Sequence, residues 1–289
     1  PIREELEWPG PTVHHLAVYA ARLSGPEAGA VLVLHDTSDL RRLERLRQEF
    51  VANVSHELKT PLAVIKACVE TLIDGAATDP DACDGFLAQI NDQADRLHNL
   101  VLDLLRLARI ESDTAPLDLH SVALADAVGD CLARHQARAE AMRLQLETDG
   151  PPVAVHADDE ALDTVLENLV DNALKYTPAG GRVSIGWTAD ESTVRIEVED
   201  TGVGIPERDL PRLFERFYRV DRARSRELGG TGLGLSIVKH LVQAMGGEVG
   251  VQSTVGRGSV FRIRLPLADQ SRDAVPSSSN THTAPIKQR

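Results

Sequence analysis

Residues 50–62 read FVANVSHELKTPL. Phe50, Val54, Leu58 and Leu62 recur every four positions, the mark of an amphipathic helix. At about 100° per residue, His56 falls about 160° from both Val54 and Leu58. It therefore points away from the apolar seam, flanked by Glu49, Asn53, Lys59 and Thr60. Pro61 lacks an N–H, so the bond to residue 57 is lost and a bend is expected there. Two readings of this face stand at this point. One is an ordinary solvated helix surface. The other is a nucleophilic site, in which a neutral imidazole attacks and a carboxylate such as Glu57 assists it.

Working outward, Leu40, Leu43 and Leu46 precede this stretch and Ile65, Val69 and Leu72 follow it, in steps of three and four. DGAATDPDA (74–82) interrupts the pattern. A second series then runs through Phe86, Ile90, Ala94, Leu97, Val101, Leu104 and Ala108. Two long helices sharing a period across a short break predict an antiparallel hairpin. Its apolar stripe is wide for a lone hairpin, and a homodimer closing into a four-helix bundle would bury it.

The whole chain has 289 residues, enough for two domains. It is 42% hydrophobic and 26% charged, so it can bury a core. Only 3% is aromatic, so that core is aliphatic. A net charge of −13 argues against a basic nucleic-acid-binding surface. Cys68, Cys83 and Cys131 form no C-x-x-C pair, which points to a reducing compartment with neither a zinc site nor a disulfide framework. No apolar run approaches the ~18 residues of a spanning helix. The chain as given is expected to be soluble and cytoplasmic. It begins at Pro1, so any membrane segment is expected upstream.

Residues 1–36 read as two short strands, HHLAVYAARL (14–23) and GAVLVLHD (29–36), around the turn SGPEAG. Past residue 116 the texture becomes mixed. Helices are predicted at 122–140, 159–175, 207–215 and 233–245. Strands are predicted at 117–119, 143–148, 153–156, 182–189, 194–200, 247–252 and 259–265. That alternation predicts an α/β sandwich, one sheet covered by helices. Residues 269–289 are polar and rich in Ser and Pro, and are expected to be a disordered tail.

The mixed region carries its own chemistry. ENLVDNALKYT (167–177) sets Asn168 and Asn172 four apart on one helix face, with Lys175 beyond. Amide oxygens beside a lysine suit a Mg²⁺–phosphate group, although plain surface polarity gives the same pattern. EDTGVGI (199–205) ends a strand on Asp200. Its carboxylate could accept from an exocyclic amine, and Gly202 and Gly204 would let a flat ring approach; a simple turn is the alternative. GGTGLGLSIVKH (229–240) runs from glycines into a helix, a phosphate-binding arrangement that is not a Walker A loop. Between these lies FERFYRVDRARSREL (214–228), arginine-rich and read as a mobile lid over a charged ligand.

Taken in order, FVANVSHELKTPL, ENLVDNALKYT, EDTGVGI, FERFYR and GGTGLGL resemble the H, N, G1, F and G2 boxes of bacterial two-component sensor histidine kinases. The resemblance covers about residues 40–267, and five motifs agree in order and spacing. The stretch from VLVLHD to KTPL is especially similar to the phosphate-regulon sensor subgroup. The resemblance implies a multi-domain chain. Residues 1–36 would be the end of a PAS-like sensor domain, and 37–112 a signalling helix with the all-α dimerisation and phosphotransfer hairpin. Residues 116–268 would be an ATP-binding α/β sandwich of the GHKL (Bergerat) type, and 269–289 the tail.

The resemblance also implies roles. His56 would be the autophosphorylated nucleophile, Glu57 its general base, and Thr60 the residue that positions water in the reverse, phosphatase reaction. Asn172 with Asn168 would hold Mg²⁺, and Lys175 and Tyr176 would contact ATP. Asp200 would bind the adenine amine beside Gly202 and Gly204. Arg216 and Arg219 would meet phosphates from the lid. Gly230, Thr231, Gly232, Leu233 and Gly234 would wrap the triphosphate. The implied partners are a second copy of the chain and a response regulator receiver domain. Two rival readings remain. One is another ATPase of the same nucleotide-binding fold, which would lack SHELKTPL on a hairpin. The other is a non-catalytic dimerising scaffold.

Overall fold

The computed structural model describes residues 2–9, 13–23, 29–111, 117–221 and 230–268. The turn at 24–28, the linker at 112–116, the second half of the lid at 222–229 and the tail at 269–289 lie outside the described residues. Two compact units result, Pro1–Leu97 and His98–Arg289, with the boundary inside a helix.

The first unit opens with β1 (Ile2–Trp8), β2 (His14–Leu23) and β3 (Gly29–Asp36), an antiparallel sheet in that order. The sequence led us to expect only the last two strands. IREELEW is mostly charged, and alternation cannot reveal a strand whose two faces are both open. Leu6, Trp8 and residues Val31 to Leu34 are all exposed. Where β3 ends, the chain is pinned. Thr37 N donates to His15 O at 2.7 Å, His15 N donates to Ser38 Oγ at 2.8 Å, and Ser38 N donates to Asp36 Oδ1 at 2.9 Å. The Ser38 hydroxyl and amide, aided by His14, hold the Asp36 carboxyl at about 2.

Helix α1 (Ser38–Ile73) follows directly and runs unbroken through Pro61. A 3₁₀ turn (Ala76–Thr78) leads into α2 (Pro80–Glu111). The pair realises the predicted hairpin elements, but the apolar positions divide differently. Pro61 and Cys68 are buried, while Leu62 and Val69 are 59% and 40% exposed. On α2, Leu100 and Leu107 are buried, while Val101 is exposed. Steps of three and four drift around a 3.6-residue turn, so one broad stripe becomes two neighbouring ones. On α1, Leu40, Leu43 and Leu46 in its first part and Leu62, Val69 and Ile73 in its second all lie open.

The second unit holds β4 (His120–Ala123), α3 (Leu124–Ala141), β5 (Gln145–Asp149), β6 (Ala154–Ala157) and α4 (Asp159–Tyr176). β7 (Arg182–Ala189), β8 (Thr193–Asp200), a 3₁₀ segment (Glu207–Arg212), α5 (Gly234–Ala244), β9 (Glu248–Thr254) and β10 (Gly258–Pro266) complete it. The main sheet has the order β5-β7-β8-β10-β9, with β5–β7 parallel and its other pairs antiparallel. β4 and β6 form a separate ladder. The strand expected at 117–119 lies instead at 120–123, and the helix expected at 207–215 is the shorter 3₁₀ segment, which contains Pro211 and ends one residue after it.

In β8 every second residue is buried, so one face of the sheet is covered and the other is open. Val183, Ile185, Val194, Ile196, Ile263 and Leu265 from the sheet and Leu162, Leu166, Leu169, Ile237 and Val238 from the helices are fully buried. This aliphatic core is the predicted α/β sandwich, in two layers. No described helix is long and apolar enough to cross a membrane.

Candidate active site

His56 is exposed on α1, while Val54 and Leu58 on either side are half-buried, as the helical wheel predicts. The hydroxyls beside it turn back to the main chain. Thr60 Oγ1 donates to His56 O at 3.1 Å, and Ser55 Oγ donates to Val51 O at 2.9 Å. These local bonds satisfy polar groups without covering the ring. Glu57, one residue on, lies a further 100° round the helix and faces α2. Its Oε2 is 3.4 Å from Arg96 Nη2, and both side chains are largely withdrawn from water. Geometry on α1 alone could not reveal that partner, 39 residues away.

In the second unit the motif residues converge. α4 begins on Asp158, whose side chain accepts from Ala161 N at 2.9 Å, a well-formed N-cap. One face of α4 packs into the core through Leu162, Leu166, Leu169 and Ala173. Asn168, Asn172, Lys175 and Tyr176 follow on the half-buried flank. Asn168 Nδ2 donates to Thr164 O at 2.7 Å, which leaves its Oδ1 facing the first turn of α5. A side chain at Gly234 would collide with that oxygen. α5 starts there without a side-chain cap, so its first N–H groups face the same space. Lys175 Nζ lies 2.6 Å from Asp171, which Arg138 also meets at 2.6 Å. Burial works to raise the Asp171 carboxyl, but these two cations outweigh it and the net shift is downward.

Asp200, the last residue of β8, is 6% exposed. Burial pushes its carboxyl above the ordinary range, against the pull of the Gly202 N–H and of the Ser259 N–H and hydroxyl. Gly202 N donates to Asp200 Oδ1 at 2.8 Å. A Cβ on Gly202 would sit 2.5 Å from both that oxygen and Tyr176 O, so only glycine leaves the space beside the carboxylate open. Gly204 has φ +70°, and a side chain there would strike the Thr254 carbonyl.

The ends of the lid meet. Phe217 N donates to Gly232 O at 2.8 Å, and Phe217 (φ +61°) and Gly232 (φ +76°) are both left-handed. Arg216 and Arg219 are half-buried, with Arg219 close to Gly232. Tyr218 OH donates to Asp209 at 2.7 Å and its ring lies under the Arg212 guanidinium. Gly230, Thr231 and Gly232 are half-buried and Leu233 is fully buried, an apolar anchor for the glycine loop. Thr231 Oγ1 donates to Asp103 at 2.7 Å and accepts from Leu233 N at 3.2 Å.

Sequence reading missed three of these groups. Ser259 faces Asp200 only because of the β8–β10 register, which motif spacing does not carry. Arg96 and Asp103 sit in a helical series that offers no signal for their partners.

Two family models match the chain. Residues 46–113 match the His Kinase A (phospho-acceptor) domain, and residues 157–269 match the histidine kinase-, DNA gyrase B- and HSP90-like ATPase. The phosphate regulon sensor protein PhoR of Pseudomonas aeruginosa is 40% identical over 261 residues, 90% of this chain and 59% of its own. Sensor histidine kinase WalK of Bacillus subtilis is 36% identical over 256 residues, 87% of this chain and 42% of its own. The chain thus spans about half the length of these relatives. Among solved structures, the Acinetobacter baumannii histidine kinase AdeS aligns with a TM-score of 0.59 at 26% identity, over 74% of this chain and 98% of its own. The histidine kinase ThkA, solved in complex with the response regulator protein TrrA, aligns with a TM-score of 0.64 over 93% of this chain and 80% of its own; at 20% identity this is a likeness of fold. An exposed histidine in an H-box helix, a buried aspartate at a strand end and glycines kept clear around it agree with both matched domains, and the chain belongs to the sensor histidine kinases.

Proposed function

We propose that the chain is the kinase core of a two-component sensor. In this reading it autophosphorylates His56 from ATP and passes the phosphoryl group to an aspartate of a response regulator receiver domain. The observation that carries the reading is the buried Asp200 carboxylate beside a space that only Gly202 leaves open, with the Asn168 and Asn172 amides on α4 and the uncapped start of α5 in the same unit. Asp200 accepts the adenine amine. Lys175, Tyr176, Arg216 and Arg219 surround the rest of the nucleotide, and the glycines from 230 to 234 bring N–H donors to its phosphates. Phosphoryl transfer needs positioning and charge neutralisation more than covalent help, and this set supplies both.

The amide oxygens of Asn172 and Asn168 fit Mg²⁺, a cation that takes oxygen ligands shared with substrate phosphates. Bound there with ATP, the ion would neutralise phosphate charge. The imidazole of His56 attacks, Glu57 takes up its proton and is oriented by Arg96, and Thr60 serves the phosphatase direction. ThkA was solved with a response regulator, which supports a receiver domain as the partner here. The exposed apolar side chains of α1, Leu62, Val69 and Ile73 among them, support a homodimer that closes a four-helix bundle.

We assign 1–36 to the end of a PAS-like sensor domain, 37–112 to the signalling helix and phosphotransfer hairpin, and 116–268 to the ATP-binding domain. The need for ATP supports a cytoplasmic site, and any membrane attachment would run through a segment outside this chain. The test is incubation of the chain with Mg-ATP. Acid-labile, base-stable phosphate on His56 is expected. ATP hydrolysis without label would favour an ATPase of another type, and no ATP binding would favour a scaffold.

A further inference from the structure

α3 and α4 pack together in the second unit, and a group unused by the kinase reading lies between them. Cys131 and His135 are four residues apart on α3 and so share a face. Glu167 comes from α4, one residue before Asn168. The Cys131 sulfur, an imidazole nitrogen of His135 and a carboxylate oxygen of Glu167 all lie within 4.8 Å of one another. Cys131 is fully buried and His135 is 9% exposed.

The carboxylate is already oriented. Glu167 Oε1 accepts from Arg134 Nε at 2.6 Å, and Oε2 faces His135 Nε2 at 2.7 Å. Arg134 also pairs with Asp163. A buried thiol beside a hydrogen-bonded His–Glu pair could serve packing alone. Three features go beyond packing. The donors are one sulfur, one nitrogen and one oxygen, a mixture that favours zinc-like ions over magnesium. Thiolate and carboxylate together carry two negative charges, which balance a divalent cation at a site whose sulfur and imidazole are buried and whose carboxylate reaches water. The guanidinium holds the distal carboxylate oxygen, as outer partners of metal ligands commonly do. Bonds of roughly 2.0–2.3 Å place tetrahedral ligand atoms roughly 3.5 Å apart.

We propose that Cys131, His135 and Glu167 form a three-ligand site for a thiolate-seeking divalent ion of the zinc class, with water completing the tetrahedron. Such an ion would clasp α3 to α4 on the side of α4 next to Asn168. It is separate from the Mg²⁺ expected at the asparagine oxygens, because a sulfur ligand is foreign to magnesium.

The test uses the full chain, reduced and chelator-treated, titrated with Co²⁺ alone and then with Zn²⁺ as competitor. One equivalent of Co²⁺ should give a thiolate-to-cobalt charge-transfer band that Zn²⁺ abolishes, and Zn²⁺ should raise the melting temperature. Cys131→Ser should lose the band. His135→Gln and Glu167→Gln should weaken Co²⁺ binding at least about tenfold. The Cys68→Ser/Cys83→Ser double variant should keep the band. A wild-type titration without the band, or a band that survives Cys131→Ser, overturns the proposal. Circular dichroism checks that Cys131→Ser is folded. If it is not, His135→Gln decides, and unchanged Co²⁺ affinity there overturns the site.

Discussion

The helical hairpin and the α/β unit handle their reactive groups in opposite ways. On α1 the ring proposed to react is on the outside, and the neighbouring hydroxyls bond back to their own helix. In the α/β unit the key carboxylate is buried, and its surroundings come from strands and loops far apart in sequence. In the proposed reaction the nucleophile meets a nucleotide and then a receiver domain, and so needs access. A nucleotide site needs a shaped interior, where each polar atom is matched and each missing side chain is space for the ligand. The hairpin should therefore tolerate changes that end its chemistry, while in the α/β unit a change that alters chemistry should alter stability too, in one direction or the other.

The largest separation is expected at His56. His56→Gln should remove the acid-labile label entirely while shifting unfolding free energy by no more than about 0.5 kcal/mol, as for other exposed sites. Labelling and urea denaturation measure the two arms. A large stability loss would break the contrast.

Gly204→Ala tests the other region. The added methyl meets the Thr254 carbonyl from a left-handed backbone, so the α/β unit should lose about 2 kcal/mol, and nucleotide binding should fall with it. The urea midpoint and a fluorescent-nucleotide titration report both.

Asp200→Asn sharpens the point, because stability and binding should move in opposite directions. Burial raises the native carboxyl above its unfolded value. Its favourable contribution is thus complete below the unfolded pKa and is lost as pH rises through the native one. At pH 7 the native protein carries a buried charge that Asn does not. The variant should melt higher at pH 7, with the gain shrinking as pH falls towards 4. Nucleotide affinity should drop about tenfold or more, the cost of a charge-assisted hydrogen bond.

The smallest effect is expected at Arg96. Arg96→Met should slow autophosphorylation several-fold by freeing Glu57, and should cost the hairpin about 1 kcal/mol. Arg96→Lys should recover part of the rate. An unchanged rate would remove Glu57 orientation from the mechanism.

The same contrast governs what the sequence disclosed. Helical geometry is local, so the outward direction of His56 follows from a count of 100° per residue. The partner of Glu57 does not, because it depends on how two helices face each other. The divided stripe of α1 and α2 escaped a simple step count for the same reason, and Leu62 and Val69 lie open where a single seam was expected. In the α/β unit, the Asn168 and Asn172 spacing and the glycines around Asp200 were legible as motifs. Their assembly with Ser259 rests on strand register between residues distant in sequence. The charged strand β1 was hidden because a sheet exposed on both faces leaves no alternation to read.

The register of β8 against β10 has a further consequence. Asp200 pairs with Ser259, so the chain that leaves the sheet after β8 makes a long excursion before it returns as the β9–β10 hairpin. The β7–β8 and β9–β10 hairpins can form from near neighbours. Joining them across β8–β10 must first overcome the loop entropy of that excursion, which grows only slowly with its length. Insertions in the lid are therefore thermodynamically mild, and such kinases can differ in lid length at little cost to the fold. Folding speed is more exposed, because contacts between distant residues form late. The proposed nucleotide site, which joins α4 to residues at the start and in the middle of this excursion, should be among the last features to appear during folding.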